Sequence, residues 1–341
     1  MGARYFRYYV YSLAIIVILT CLNATAVAAT SADANFGLGK MEIRSQAIGQ
    51  SLRLTLPMLV PGDISKGWRT YLGSTWCNIW SNDEEYLLDY ELLDTFLGIG
   101  YGFDNHWGLA LILDDRTYFG GAMDGFIENF HDTLDIDQDG RDKADHNDSV
   151  VSRYDPDTGE TLTEISAGEL DNTGASVLLN YNVPSGNTIW PSVNLYGLIR
   201  YILKAPKVLD GDTKFDYGLG IGLAKQLSER WYAYGVLGYT IYASDDKTSA
   251  GQVEFRDHQK TGLFALAWHY RPDFAVMLQM LYTDAAIKTI KALDEASNEI
   301  HFGFKWRINE NYLVDFALIE NIISWDNSPD FGVHLGISIG I

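Results

Sequence analysis

TKFDYGLGIGLAKQ, residues 213–226, decides the fold. Phe215, Tyr217, Leu219, Ile221 and Leu223 fall on one side of an extended chain, with Lys214, Asp216, Gly218, Gly220 and Gly222 on the other. Successive side chains of a strand point to opposite faces, so this is a strand with one apolar and one polar face. The pattern recurs. Ile300, Phe302, Phe304 and Trp306 oppose Glu299, His301, Gly303, Lys305 and Arg307. Phe331, Val333, Leu335, Ile337, Ile339 and Ile341 oppose Gly332, His334, Gly336, Ser338 and Gly340. Tyr312, Val314, Phe316 and Leu318 alternate with Leu313, Asp315 and Ala317.

Working outward from these segments, about twelve strands are predicted, at 67–80, 84–103, 107–118, 173–183, 190–203, 213–226, 231–243, 254–270, 274–285, 297–307, 311–322 and 331–341. The alternation of 84–103 slips near Asp94, which suggests a bulge or a break there. Short links at 104–106, 184–189, 227–230, 271–273 and 308–310 alternate with longer ones at 119–172, 204–212, 244–253, 286–296 and 323–330. Transmembrane barrels have this order: short periplasmic turns, long external loops and an even strand number. The brief link at 81–83 departs from it. Trp107, Trp231, Phe274 and Tyr312 each follow a short turn, which is where a lower aromatic girdle belongs. A soluble periplasmic sandwich would alternate too, but it would not need aromatics at one end of successive hairpins. The fold class is therefore all-β, a transmembrane antiparallel up-and-down barrel of about twelve strands.

The N-terminus agrees. Arg4 and Arg7 precede an apolar run from Tyr9 to Leu22, and Ala26-Val27-Ala28 fits a cleavage site, so residues 1–28 read as a signal peptide. Residues 29–66 then form an N-terminal segment, periplasmic or lumen-associated, and 67–341 the barrel with an insert loop at 119–172. Only Cys77 follows the leader, so no intrachain disulfide staples the fold. The 341-residue chain carries 45 acidic and 25 basic residues, net −20, which excludes a phosphate-binding nucleic-acid partner. Its 13 % aromatic content argues against disorder. The partners expected are lipid and lipopolysaccharide of the cell outer membrane of a Gram-negative bacterium, the barrel-assembly machinery, and small solutes.

Several motifs resemble one family. Arg44-Ser45-Gln46 stands ahead of Leu56-Pro57. Asn78-Ile79-Trp80-Ser81-Asn82, Asp89-Tyr90-Glu91, the run Gly121 to Asp132 with Phe130-His131-Asp132 at its end, and Asp139-Gly140-Arg141 follow in that order. Together they resemble the outer-membrane proteins grouped as domain of unknown function 3187, with Ser45 where Asn is expected. The resemblance implies a barrel and a location, and it carries no activity.

The insert is the part least like a barrel. Met123, Phe126, Ile127, Phe130 and Leu134 recur at helical spacing, so 121–134 reads as an amphipathic helix, placed in the lumen as a plug or on the rim. Asp135, Asp137 and Asp139, closed by Gly140, make the D-x-D-x-D-G start of a calcium loop. His146 stands where the bidentate Glu belongs, so Ca2+ is a candidate ligand beside the plainer reading of a solvated acidic loop. Residues 119–172 carry 15 acidic and 3 basic side chains, a net of −12, which draws divalent cations to that loop and would let them bridge to lipopolysaccharide phosphates.

His131 and Asp132 are candidates for a general base and its orienting partner. No G-x-S-x-G nucleophile motif accompanies them, so an enzyme is the alternative reading and not the favoured one. Alternation puts Asp89, Glu91, Asn194, Arg200, Asp216, Gln279, His301, Lys305, Arg307, Asp315 and His334 on the lumen face. A ring of twelve strands lies between the eight that side chains fill and the sixteen that leave a channel. The expected function is a small-solute pore or transport-type barrel narrowed by the insert. An enzyme using His131 or the lumen histidines, or an adhesive barrel with a cation-loaded loop, are its alternatives.

Overall fold

A computed structural model describes residues 35–56, 59–60, 62–64, 66–121, 123–134, 149–183, 189–209, 215–242, 254–321 and 327–340. Fourteen antiparallel strands run β1 (Gly67–Asn82), β2 (Tyr86–Gly102), β3 (Trp107–Phe119), β4 (Val150–Tyr154), β5 (Thr161–Ser166), β6 (Asn172–Val183), β7 (Ser192–Lys204), β8 (Phe215–Gln226), β9 (Trp231–Tyr242), β10 (His258–Arg271), β11 (Phe274–Thr283), β12 (Ser297–Arg307), β13 (Tyr312–Asn321) and β14 (Phe331–Gly340). β1 pairs with both β2 and β14, so twelve of them close into a ring with no free edge. β4 and β5 are the exception. They form a hairpin that the sequence pattern missed, and β4 pairs with Tyr86–Asp89 of β2. The hairpin raises the wall where the β1–β2 link is short.

The apolar rows face outward. Phe215, Tyr217, Leu219, Ile221 and Leu223 are 39–67 % exposed while Asp216 is fully buried. Leu335 and Phe302 are exposed, with His334 and His301 buried beside them. Water would not tolerate so continuous an apolar belt, whereas acyl chains match it. Trp68, Phe103, Trp107, Trp231, Tyr270 and Trp306 are exposed near the short-turn end, where a girdle belongs.

β2 corrects one expectation. Its register with β1 and β3 passes through Asp94 without a shift, so no bulge or break occurs there. The alternation slipped because Asp89 and Glu91 are polar yet face outward, opposite in parity to lumen-facing Asp94. Segment 119–134 covers Glu91: Trp76 Nε1 and the Met123 amide both donate to its carboxylate. Asp89 and Glu91 therefore leave the lumen inventory. The same contacts place the insert helix, α2 (Asp124–Leu134). It lies neither in the lumen nor free on the rim. It packs on the outer face of the wall, where Asn78 Nδ2 donates to Asp124 Oδ1 at 3.1 Å and Phe126 meets Phe331 at 5.5 Å between centroids. Met123 and Ile127 turn to the wall, and Phe126 is 56 % exposed.

The lumen is filled by the N-terminal segment. Asn35 and Phe36 bond to Ser192, Gln226 and Tyr234 at the short-turn end. The chain climbs to a single helical turn, α1 (Ile48–Ser51), where Gln50 Nε2 donates to the Asp284 carbonyl near the long-loop end. It then descends until Asn182 Nδ2 donates to the Ile64 carbonyl, and it enters β1. Leu38, Met41, Ile43, Ile48, Leu52, Leu54 and Leu56 of this hairpin are buried inside the barrel. Closure that the sequence reading assigned to the insert is supplied, among the described residues, by residues 35–64.

Glycines on β8 make room for the descending arm. A Cβ on Gly222 would overlap the Leu59 carbonyl and stand 3.0 Å from Val60 Cα. Gly222→Ala should therefore loosen the plug by about 1–3 kcal/mol, the usual cost of overpacking. Faster tryptic cleavage at Arg44 and Arg53 in detergent, with an unchanged barrel, would show it.

Candidate functional site: a latched plug in the lumen

Two polar belts hold the plug. The upper one, toward the long loops, centres on Asp94 of β2. Arg44 grips that carboxylate through two nitrogens, and its ring contact with Phe96 is 4.9 Å. Gln46 Nε2 donates to Asp94 Oδ2 at 3.0 Å, and Arg116 of β3 reaches the same oxygen at 3.4 Å. Arg116 also donates to the Ser45 carbonyl and Thr55 Oγ1, both at 3.0 Å, and to the Ser51 carbonyl. It thus ties both arms of the plug to the wall. Arg200 of β7 bonds Asp114 at 2.6 Å and stands 3.8 Å from Asp216. Glu299 of β12 accepts from Ser45 Oγ at 2.6 Å and from the Gln46 amide at 3.0 Å. The Ala47 amide donates to it as well, at 3.3 Å, so Glu299 holds the two residues that lead into α1.

The lower belt is built around Lys305 and Asp315. Lys305 Nζ donates to the Lys40 carbonyl at 2.6 Å, and Asp315 accepts the Glu42 amide at 3.2 Å. Lys40 pairs with Glu42 at 2.8 Å. His334 touches Asp315 at 3.2 Å, Thr75 Oγ1 at 2.8 Å and the Tyr71 hydroxyl at 3.1 Å. These contacts have the order acid, imidazole, hydroxyl, yet all lie sealed under the plug, so they serve as a packing network. His301 bonds Gln279 at 2.9 Å and is equally buried.

Arg200, Asp216, His301, Lys305, Asp315 and His334 thus face inward as the alternation required. Arg307 keeps their parity but is exposed at the turn end of β12, beyond the closed lumen. The sequence reading passed over Asp94, Asp114, Arg116 and the latch role of Arg44 to Gln46. For Asp114 and Arg116 the signal was the polar parity of β3 opposite exposed Leu109 and Leu111. Elsewhere, His131 belongs to α2 and Asp132 is exposed on it, far from the lumen belts. Asp135, Asp137 and Asp139, like residues 1–28, lie outside the described residues. Among the described residues no group of three or more His, Cys, Asp or Glu side chains could hold a metal.

Asp63, where the plug leaves the lumen, gives the latch a pH dependence. Burial raises its carboxyl from 3.8 to about 6, Glu42 adds to the rise, and Lys40 and Lys305 oppose it. Below pH 3.8 the group is neutral whether the plug is docked or released, so docking has its full strength. As pH climbs toward 6 the released form ionises first, and the docked form loses ground. Amide exchange of residues 38–56, corrected for intrinsic rate, should be slower at pH 4.5 than at pH 7.5, and Asp63→Asn should flatten that difference.

Residues 15–341 match the family described as protein of unknown function (DUF3187). The chain belongs to the DUF3187 family. Among solved structures, this DUF3187 protein is similar to the COG4313 outer membrane channel from Pseudomonas putida F1, with 10 % identity, 83 % of this chain and 100 % of that one covered, and a TM-score of 0.52. A NanC porin gives 11 % identity, coverage of 81 % and 100 %, and a TM-score of 0.46. A KdgM porin gives 8 % identity, coverage of 80 % and 99 %, and a TM-score of 0.40. At these identities the likeness is one of fold: the DUF3187 barrel is of the outer-membrane kind. No curated protein matches the chain in sequence.

Proposed function

We propose that this DUF3187 protein is a small-solute channel of the outer membrane that residues 35–64 hold closed. One observation carries the reading: the lumen is filled by a separate hairpin of chain held through hydrogen bonds and ion pairs, while the wall closes without it. All twelve ring strands pair with one another and, among the described residues, none pairs with the plug. A segment so held can leave without breaking the ring. The wall it would uncover is polar and rich in small residues, with Ser176, Asn180, Asn194, Thr240, Gln259 and Gln279 between the charged groups. The charge of the acidic insert favours divalent cations and, through them, lipopolysaccharide phosphates.

Planar-bilayer recording tests the channel. The purified full chain should give discrete, infrequent current steps, and variants that loosen the plug should give frequent ones. Silence from a variant whose plug trypsin can reach would overturn the reading.

A further inference from the structure

In the half of the lumen nearer the long loops the charges balance only because the plug contributes cations. On the lumen face of the strands, in the half nearer the long loops, the wall carries Asp94, Asp114, Asp216 and Glu299 against Arg116 and Arg200. Four carboxylates thus face two guanidiniums. The plug supplies the missing pair, Arg44 and Arg53, both buried.

Arg44 sits on a carboxylate beside an aromatic ring, and Arg53 on a ring whose cross-strand neighbour is a carboxylate. Arg44 lies on Asp94, with Asp114 at 3.8 Å and the Phe96 ring 4.9 Å from its guanidinium carbon. Arg53 stacks over Tyr242 at 4.0 Å, with Phe255 at 5.9 Å. Asp216 is the direct cross-strand neighbour of Tyr242. A carboxylate beside an aromatic face is a cation seat. At Arg44 the charge is paired and the ring quadrupole adds to it, and at Arg53 the ring carries the contact, more strongly where water is excluded. When the plug leaves, Asp94 keeps Arg116 and Asp216 keeps Arg200, but both rings lose their guanidinium and the wall keeps its surplus of negative charge. Low-dielectric walls then focus that field along the lumen.

We propose that the opened lumen is cation-selective and takes solutes bearing a guanidinium or ammonium group at the seats that Arg44 and Arg53 fill when it is closed. This rests on the channel reading above. The plug is then a tethered stand-in for the solute, and a cationic solute would compete with it for Asp94 and Asp216.

The test uses full-length protein, first with substitutions in the plug alone and then with two in the wall. Arg44→Glu sets a carboxylate against Asp94 and Asp114, and Gln46→Glu sets one against Asp94 in place of an amide donor. Either should release the plug, read as tryptic cleavage within 35–64. The second variant serves if the first folds poorly, and spontaneous openings of the native protein serve for both. Across a KCl gradient of about tenfold, the reversal potential should lie on the potassium side, with permeability to K+ at least about fivefold that to Cl−. Agmatine, which carries one guanidinium and one ammonium, should block the current. Adding Asp94→Asn and Asp216→Asn should weaken that block about tenfold or more, as expected for loss of paired charge in a closed site. Openings that are unselective or prefer chloride, or an agmatine block indifferent to both substitutions, would overturn the inference and leave the channel standing. A released plug without current would instead overturn the channel itself.

Discussion

Oxidising a Ser45→Cys/Thr283→Cys pair is expected to abolish channel openings, and reduction to restore them. Ser45 Oγ and Thr283 Oγ1 lie 3.4 Å apart in the closed lumen, one on the plug and one on β11. Cysteine matches both in size, and sulfurs replacing these oxygens need only a small approach to reach a bond of about 2 Å. The bond would join the plug near its highest point to the wall, so the hairpin could no longer leave. Cys77 is buried on the lumen side of β1, against Gly332, and should be changed to Ala in the same background. Current that persists through the oxidised pair, with the bond shown by mass, would mean that solutes pass by a route other than displacement of residues 35–64.

Asp94→Ala should have the next largest effect, in the opposite direction. This carboxylate accepts from Arg44, Gln46 and Arg116 at once. Its loss leaves two guanidiniums in the lumen with one anion fewer. Removing one partner of a buried ion pair costs about 3–5 kcal/mol when the remaining charge cannot escape. Arg116 is anchored in the wall, but Arg44 can escape, because the plug can move out and hydrate it. The expected result is a folded barrel with its latch undone: cleavage at Arg44 and Arg53 by trypsin and open probability raised about tenfold or more, each 1.4 kcal/mol being a factor of ten. Gln279→Ala is the control. It removes a lumen amide that bonds His301, and it should leave the plug in place. If Asp94→Ala instead unfolds the barrel, the residue belongs to the wall's own stability and not to the latch.

The charge surplus in the upper belt gives the two experiments a common reading. A plug that carries Arg44 and Arg53 is attracted by the wall it blocks, so the closed state is stable and still separable. High salt should weaken this latch less than it weakens surface pairs, because the groups are screened little when buried.

What the sequence determined was the wall. Period-two alternation, the order of short and long links, and the aromatic after each short turn specified the ring and its strands to within a few residues. Those signals are local, and a one-residue slip would turn every apolar row from lipid into the lumen. Only the tertiary structure decided what fills the ring. Residues 35–64 have no periodicity to read, because their side chains are fixed by Asp94, Arg116, Glu299 and Lys305, which lie 50 to more than 250 positions away along the chain. The placement of α2 was hidden for the same reason. Its amphipathic face could be read from spacing, but whether that face meets the lumen or the outer wall depends on Asn78, Glu91 and Phe331, which close the ring elsewhere. Periodicity reports a residue's own face. It does not report the partner that covers it.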